Sequence, residues 1–343
     1  MKKIIPYASV IILLGFFVLG YFAYKKVFTP NTSVIKKEYV YIPSGASFQT
    51  VKDSLAKYIT NIDNFVYAAE AKGYDKEITS GRFEITPGMN NYSLIISLGR
   101  NIPVKVAFNN QETIEKFAER LASQTEPSAN DYMQAFKDES FLEEYGFTPD
   151  NVLSAFIPNT YEFYWNISPI KVRDKLVREY KKFWNEQRLA KADSLGLTPL
   201  QVSTLASIVQ KESAKVDERP TVAGVYLNRL KINMPLQADP TVIYAIKKET
   251  GNFDQVIKRV FHNDLKLNSP YNTYANLGLP PGPITMPDIS SIDAVLNAEN
   301  HDYIYFCASV DNFGYHDFTN NYKDHLKNAE KYSKWVESKN YER

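Results

Sequence analysis

Little in this chain of 343 residues suits cysteine chemistry, metals or polyanions. A single cysteine, Cys307, excludes a disulfide scaffold and any cysteine-rich zinc site. The four histidines, His262, His301, His316 and His325, show no short ligand spacing, so neither a metal nor another cofactor is expected. Glycine is scarce at 14 residues, and no low-complexity tract interrupts the sequence. Charge of one sign is lacking too: 40 Lys+Arg stand against 39 Asp+Glu. A net charge of +1 argues against a nucleic-acid partner, which would call for a strongly basic face.

Apolar and aromatic residues are plentiful. At 44% hydrophobic content the chain can build a core, and its length allows one large domain or two ordinary ones. Most of the 24 Tyr and 20 Phe are expected in packing, the remainder on surfaces that stack flat ligands. Residues Ile4 to Tyr24 form a run of 21 without a charge, flanked by Lys2 and Lys3 before and Lys25 and Lys26 after. At 1.5 Å per residue such a run crosses a hydrocarbon core of about 30 Å. Its exit, Tyr21-Phe22-Ala23-Tyr24, is too bulky for signal-peptide cleavage, so an uncleaved anchor is expected. The flanking lysines are matched, so the positive-inside rule says little about orientation. With only three residues before the span, nearly the whole protein is expected on one side of the membrane.

A polar linker is expected over 25–37. Beyond it the pattern predicts a strand at Glu38–Ile42, helices at Ser47–Tyr58 and Ile62–Lys72, a strand at Gly81–Ile85 and a short helix at Ser93–Leu98. A second strand and helix, Val104–Phe108 and Thr113–Ser123, resemble a repeat of this unit. From Ser128 to Arg188 the pattern is mainly helical. The rest alternates helix and polar loop, with one late strand at Tyr303–Val310. Helices with scattered strands predict an α+β fold.

One helix carries a misplaced acid. Thr198-Pro199-Leu200-Gln201 reads as a capping box with proline in the first turn. Val202, Leu205, Ala206, Ile208 and Val209 then form an apolar stripe, with Ser203, Thr204, Ser207, Gln210 and Lys211 facing away. Glu212 falls about 20° from Leu205, inside the stripe, by the helical turn of 3.6 residues. Burial and the negative end of the helix dipole both raise the pKa of a carboxyl placed there. A carboxylic acid that keeps its proton near neutral pH is what general acid catalysis requires. Ser213 follows it. The alternative is a helix end that delivers Glu212 to solvent or to a buried arginine.

The segments Leu236–Tyr244 and Ser269–Pro283 are rich in Tyr, Asn, Gln and Pro. Five prolines between 270 and 287 exclude helix and central strand and imply a stiff, shaped loop. Rings that stack on pyranose faces and amides that bond hydroxyls suit sugar recognition. A structural connection without a ligand is the alternative.

Together these segments resemble the MltG/YceG-like family of endolytic murein transglycosylases. The residues that carry the resemblance are ASIVQKES (206–213), ERPTVAGVYLNRL (218–230), PLQADPTVIYA (235–245), SPYNTY (269–274) and GLPPGPI (278–284), with PNTYEF (158–163) and YFCASVDNFGYHDF (305–318). YIPSGAS (41–47) looks like the family's LysM-like part. The resemblance implies residues 1–24 as cytoplasmic tail and anchor, 38–103 as a LysM-like subdomain and 104–343 as a mixed α+β catalytic domain outside the cytoplasm. It implies a bacterial, cell-wall enzyme on the inner membrane. The enzyme would cut the glycan strands of peptidoglycan between N-acetylmuramic acid and N-acetylglucosamine, leaving 1,6-anhydro ends, beside peptidoglycan synthases. Glu212 matches the catalytic glutamate. A second acid common in the family is replaced here by Gln210, on the helix's polar side. Ser213, Gln237, Asp239, Thr241, Tyr244, Tyr271 and Asn272 are expected around the substrate cleft, with Asp239 positioning substrate. His316 lies in a family-like segment and can equally be structural. Two other readings stay open: a glycan-binding scaffold that does not cut, and a hydrolase using Asp239 as second carboxylate.

Overall fold

The computed structural model describes residues 4–338, so Lys2 and Lys3 lie outside the described residues. The chain forms two compact units, the first of residues up to 106 with 123–127 and 161–168, the second of the rest.

The first unit begins with helix α1, Ile4–Phe28. Its segment Ser9–Phe28 is long and apolar enough to cross a membrane and is largely exposed, while Val27 near its end packs against the core of the unit. Strands β1 (Glu38–Ile42) and β2 (Gly81–Ile85) pair antiparallel, Glu38 opposite Ile85 and Ile42 opposite Gly81. Alternation sends Val40, Ile42, Phe83 and Ile85 inward. They meet Val51 and Leu55 of α2 (Phe48–Leu55), Phe65 of α3 (Ile62–Lys72) and Leu94 and Leu98 of α4 (Asn91–Leu98) in one core. Caps set the helix starts: Ser47, Asn61 and Asn90 each accept a backbone N–H three residues on. Gly73, at φ 77°, ends α3 in the left-handed conformation that a side chain disfavours.

Strands β3 (Val104–Phe108) and β4 (Asn159–Phe163) pair, and the chain passes between the units within them. In the second unit Phe117 of α5 (Ile114–Ala122) lies within 5.4 Å, centroid to centroid, of Phe108, Phe136 and Phe156. Around this aromatic knot run α6 (Ala129–Phe136), α7 (Glu139–Tyr145) and α8 (Pro169–Phe183). Then come α9 (Glu186–Ser194), α10 (Pro199–Glu212), α11 (Arg219–Lys231), α12 (Asp239–Thr250) and α13 (Ile289–Leu296). Strands β5 (Tyr305–Ala308) and β6 (His316–Thr319) form an antiparallel hairpin, followed by α14 (Tyr322–Ser338). The fold is mixed α+β.

Two sequence expectations change. The single late strand is a pair, because β6 is a polar four-residue strand with little hydrophobic signal. Most of the supposed polar face of α10 is buried as well, Lys211 alone being exposed. Ser203 and Ser207 have no exposed surface, since α10 packs against α9, α11, α12 and α13 at once. Thr204 and Ser207 satisfy their hydroxyls nearby, while the buried Ser203 hydroxyl has no hydrogen-bond partner among the described residues. Thr204 donates to the Leu200 carbonyl, and Ser207 donates to the Thr204 carbonyl and accepts from the Ile284 N–H.

Candidate active site

The α10 start follows the capping box: Thr198 Oγ1 accepts from the Gln201 N–H, and Gln201 Oε1 accepts from the Thr198 N–H. Fourteen residues later the helix ends at Glu212. Glu212 is half-buried, and its Oε1 accepts a 2.8 Å bond from the hydroxyl of Tyr226, on α11, which is itself 1% exposed. Burial pushes the Glu212 carboxyl up to about 7; the Tyr226 hydrogen bond and the Arg229 guanidinium pull it down, while the negative charge of Asp239 adds to the rise. Tyr226, pushed well above its ordinary value chiefly by burial, keeps its proton and donates a hydrogen bond to Oε1. With Oε1 accepting from Tyr226, the acidic proton of Glu212 falls to Oε2.

Asp239 opens α12 and is exposed, and its Oδ1 accepts a 2.6 Å bond from Tyr274 Oη. Burial raises the Tyr274 hydroxyl, with the Asp239 bond working the same way. Arg229 is anchored by the carbonyls of Ile304 and Leu236. Two residues before Asp239, Gln237 sits at φ 50°, a left-handed conformation rare for residues with side chains. It is held there by its N–H to the Thr273 carbonyl. Backbone strain of this kind collects at functional sites.

The other expected site residues, Tyr244 apart, are committed inside the protein. Ser213 is buried and donates to Glu218 Oε2. Thr241 is buried, donates to the Ala238 carbonyl and lies 2.8 Å from Thr273 Oγ1. Buried Asn272 gives its amide to the carbonyls of Leu265 and Leu267 and accepts the Tyr274 N–H, which fixes the loop bearing Tyr274. Tyr271 is buried against half-buried Tyr244, ring centroids 4.7 Å apart. Gln210 accepts from the Asp288 N–H at 2.6 Å and from Ser291 Oγ, tying α10 to the start of α13 rather than facing solvent on a polar side.

Sequence reasoning missed the second layer. Glu218, 6% exposed, accepts from Ser213 Oγ and from the His316 N–H, and its Oε2 lies 2.8 Å from His316 Nδ1. Arg219 donates to the Ser213 carbonyl and pairs with Asp288 at 3.0 Å. The residue after Glu212 is thus held from two sides. Gly224 of α11 makes room for the 299–301 segment: a Cβ there would stand 2.5 Å from His301 Nε2 and 2.7 Å from the Glu299 carbonyl. Among the described residues no group of three or more His, Cys, Asp and Glu is placed to hold a metal.

Tyr226→Phe removes the bond that favours the Glu212 carboxylate. The alkaline limb of kcat/KM is expected to move above its wild-type position near pH 7; a Tyr226 that only packs would leave the limb where it is.

The YceG-like family pattern matches residues 40–331. A Bacillus subtilis protein named endolytic murein transglycosylase is 30% identical over 318 residues, 87% of this chain and 85% of that protein. One of the same name from Streptococcus pneumoniae is 26% identical, over 90% of this chain and 62% of that protein. A solved YceG-like protein of Listeria monocytogenes superposes with a TM-score of 0.57 at 27% identity, over 86% of this chain and 99% of that one. Pattern, relatives and fold agree: the chain belongs to the YceG-like family.

Proposed function

We propose that this protein is a membrane-anchored endolytic murein transglycosylase that cuts the bond from N-acetylmuramic acid to N-acetylglucosamine and leaves 1,6-anhydro ends. The observation that carries the reading is Glu212: a carboxyl raised to about 7, with Tyr226 on one oxygen and the other left for its proton. The names of the relatives support the substrate.

Protonated Glu212 donates to the glycosidic oxygen as the bond from that oxygen to the anomeric carbon breaks. The oxygen leaves as a hydroxyl of the next sugar. The 6-hydroxyl of the muramyl residue then attacks the anomeric carbon and returns its proton to the Glu212 carboxylate. No water is consumed, and the enzyme ends as it began. Asp239, fixed by Tyr274, faces the positive charge that develops on the sugar ring and keeps Glu212 protonated. Exposed Gln237 and Asp239 contact the glycan in this reading, while Ser213, Thr241, Tyr271 and Asn272 hold the frame behind them and half-buried Tyr244 lines the neighbouring cavities. Helix α1 is the anchor; it runs on through Phe28, so the expected linker of 25–37 shortens to 29–37, with 38–103 a LysM-like glycan-holding part and 104–343 the catalytic part. The enzyme works outside the cytoplasm on nascent strands, beside peptidoglycan synthases.

The influence of Asp239 on Glu212 also admits a hydrolase with Asp239 as its base. Asp239→Asn separates the two. A transglycosylase keeps the anhydro product, slowed by about tenfold at neutral pH, within the usual reach of one positioned charge. Its alkaline limb moves down, opposite to Tyr226→Phe, because a charge that raises Glu212 is gone. A hydrolase would lose turnover altogether and would give hydrated ends in the wild type.

A further inference from the structure

Beside the end of α10 lie two cavities of about 570 and 490 Å³ that share Glu112, Tyr244, Phe253 and Asp254 as walls. The smaller reaches Lys211 and Pro240, the chain neighbours of Glu212 and Asp239. A groove therefore runs along α12, bordered at one end by the residues that flank Glu212 and Asp239 in the chain. Its floor is apolar: Tyr244 and Phe253 stand with ring centroids 5.6 Å apart, near Ile243, Ile257 and Ile284.

Its charges are numerous and balanced. Five lysines and five carboxylates line the two cavities. Glu112 accepts from both Lys211 at 2.7 Å and Lys247 at 2.8 Å, and Lys116 pairs with Asp254 at 2.8 Å. Further out, Lys137 pairs with Glu115 and Lys248 with Asp150. A neutral sugar strand has no use for ten charges, and a polyanion would meet five carboxylates. A short peptide that carries carboxylates, an amine and apolar side chains matches all three features.

We infer that this groove seats the peptide stem borne by the muramyl residue at the scissile bond, so that the enzyme reads peptide as well as glycan. The inference rests on the transglycosylase reading. The muramyl ring must lie over Glu212, and its lactyl arm is where a stem begins. The groove then converts stem binding into placement of the anomeric carbon.

The test uses full-length Glu212→Gln protein, whose turnover is about 10²–10⁴-fold slower so that binding can be read, and soluble uncrosslinked murein strands. The same strands are measured with their stems and after an amidase has removed them. Stem-bearing strands are expected to bind about tenfold tighter, the worth of one buried ring or one desolvated charge contact. Phe253→Ala and Lys247→Met, each added to Glu212→Gln, are expected to bring the ratio close to one. Equal affinity for both strands in the parent overturns the inference, as does a ratio that neither variant changes. Product mass is read separately on the protein with Glu212 intact. Preferential binding of stems without anhydro product keeps the groove and removes the transglycosylase.

Discussion

Glu212→Gln protein is expected to release anhydro-muropeptides about 10²–10⁴-fold more slowly than wild type, the range lost with a general acid. Glutamine keeps the volume and still accepts the Tyr226 hydrogen bond, so the fold around α10 stays the same. What disappears is the proton. The same variant carries a signature that separates chemistry from stability. In the wild type the Glu212 proton is held more tightly folded, at about 7, than unfolded, near 4.5. Its contribution to stability is complete below about 4.5 and is lost as pH rises through about 7. Thermal midpoints of wild type should therefore fall between pH 5 and 8 relative to those of Glu212→Gln. Parallel curves for the two proteins would mean that Glu212 titrates as an ordinary surface acid.

Arg219→Met is expected to destabilise the unit that carries the site by about 3 kcal/mol, typical of breaking a buried, multiply bonded ion pair. The guanidinium is almost wholly inside the protein, where it donates to the Ser213 carbonyl, Asp288, Ser290 and Ser291. Methionine fills the space and satisfies none of these acceptors. The Ser213 carbonyl lies one residue beyond Glu212, so loosening it frees the end of α10 as well. Turnover should fall with stability. Denaturant midpoints measure the first effect, and kcat at a temperature where the variant remains folded measures the second. An unchanged midpoint would show that solvent reaches the pair and screens it.

Much of this arrangement could be read from local pattern. Strands β1, β2 and β3 and helix α3 begin and end where alternation and turn residues placed them. The α10 start was legible because a capping box is local chemistry, and the odd place of Glu212 was legible because helical spacing is periodic. Tyr226, Tyr274, Arg229 and the Ser213–Glu218–His316 cluster were not. Their partners lie 5 to 98 residues away in the chain, on other elements or loops, and only packing brings them together. Asn272 and Thr241 looked like ligand groups because amides and hydroxyls do bind sugars. Nothing local tells that their bonds are already spent on the loop around Thr273. Ser207 of α10 misled for a related reason: a small hydroxyl can be buried when its own helix supplies the acceptor.

The claim that matters most is that Glu212 alone drives a cleavage that consumes no water. It is tested most directly by the muropeptide mass spectrum of strands digested with wild type and with Glu212→Gln protein. The account predicts new ends lighter by one water than hydrolysis products in the wild-type digest, and their loss in the variant digest. Hydrated ends from wild type, or anhydro ends from the variant at the wild-type rate, would contradict it.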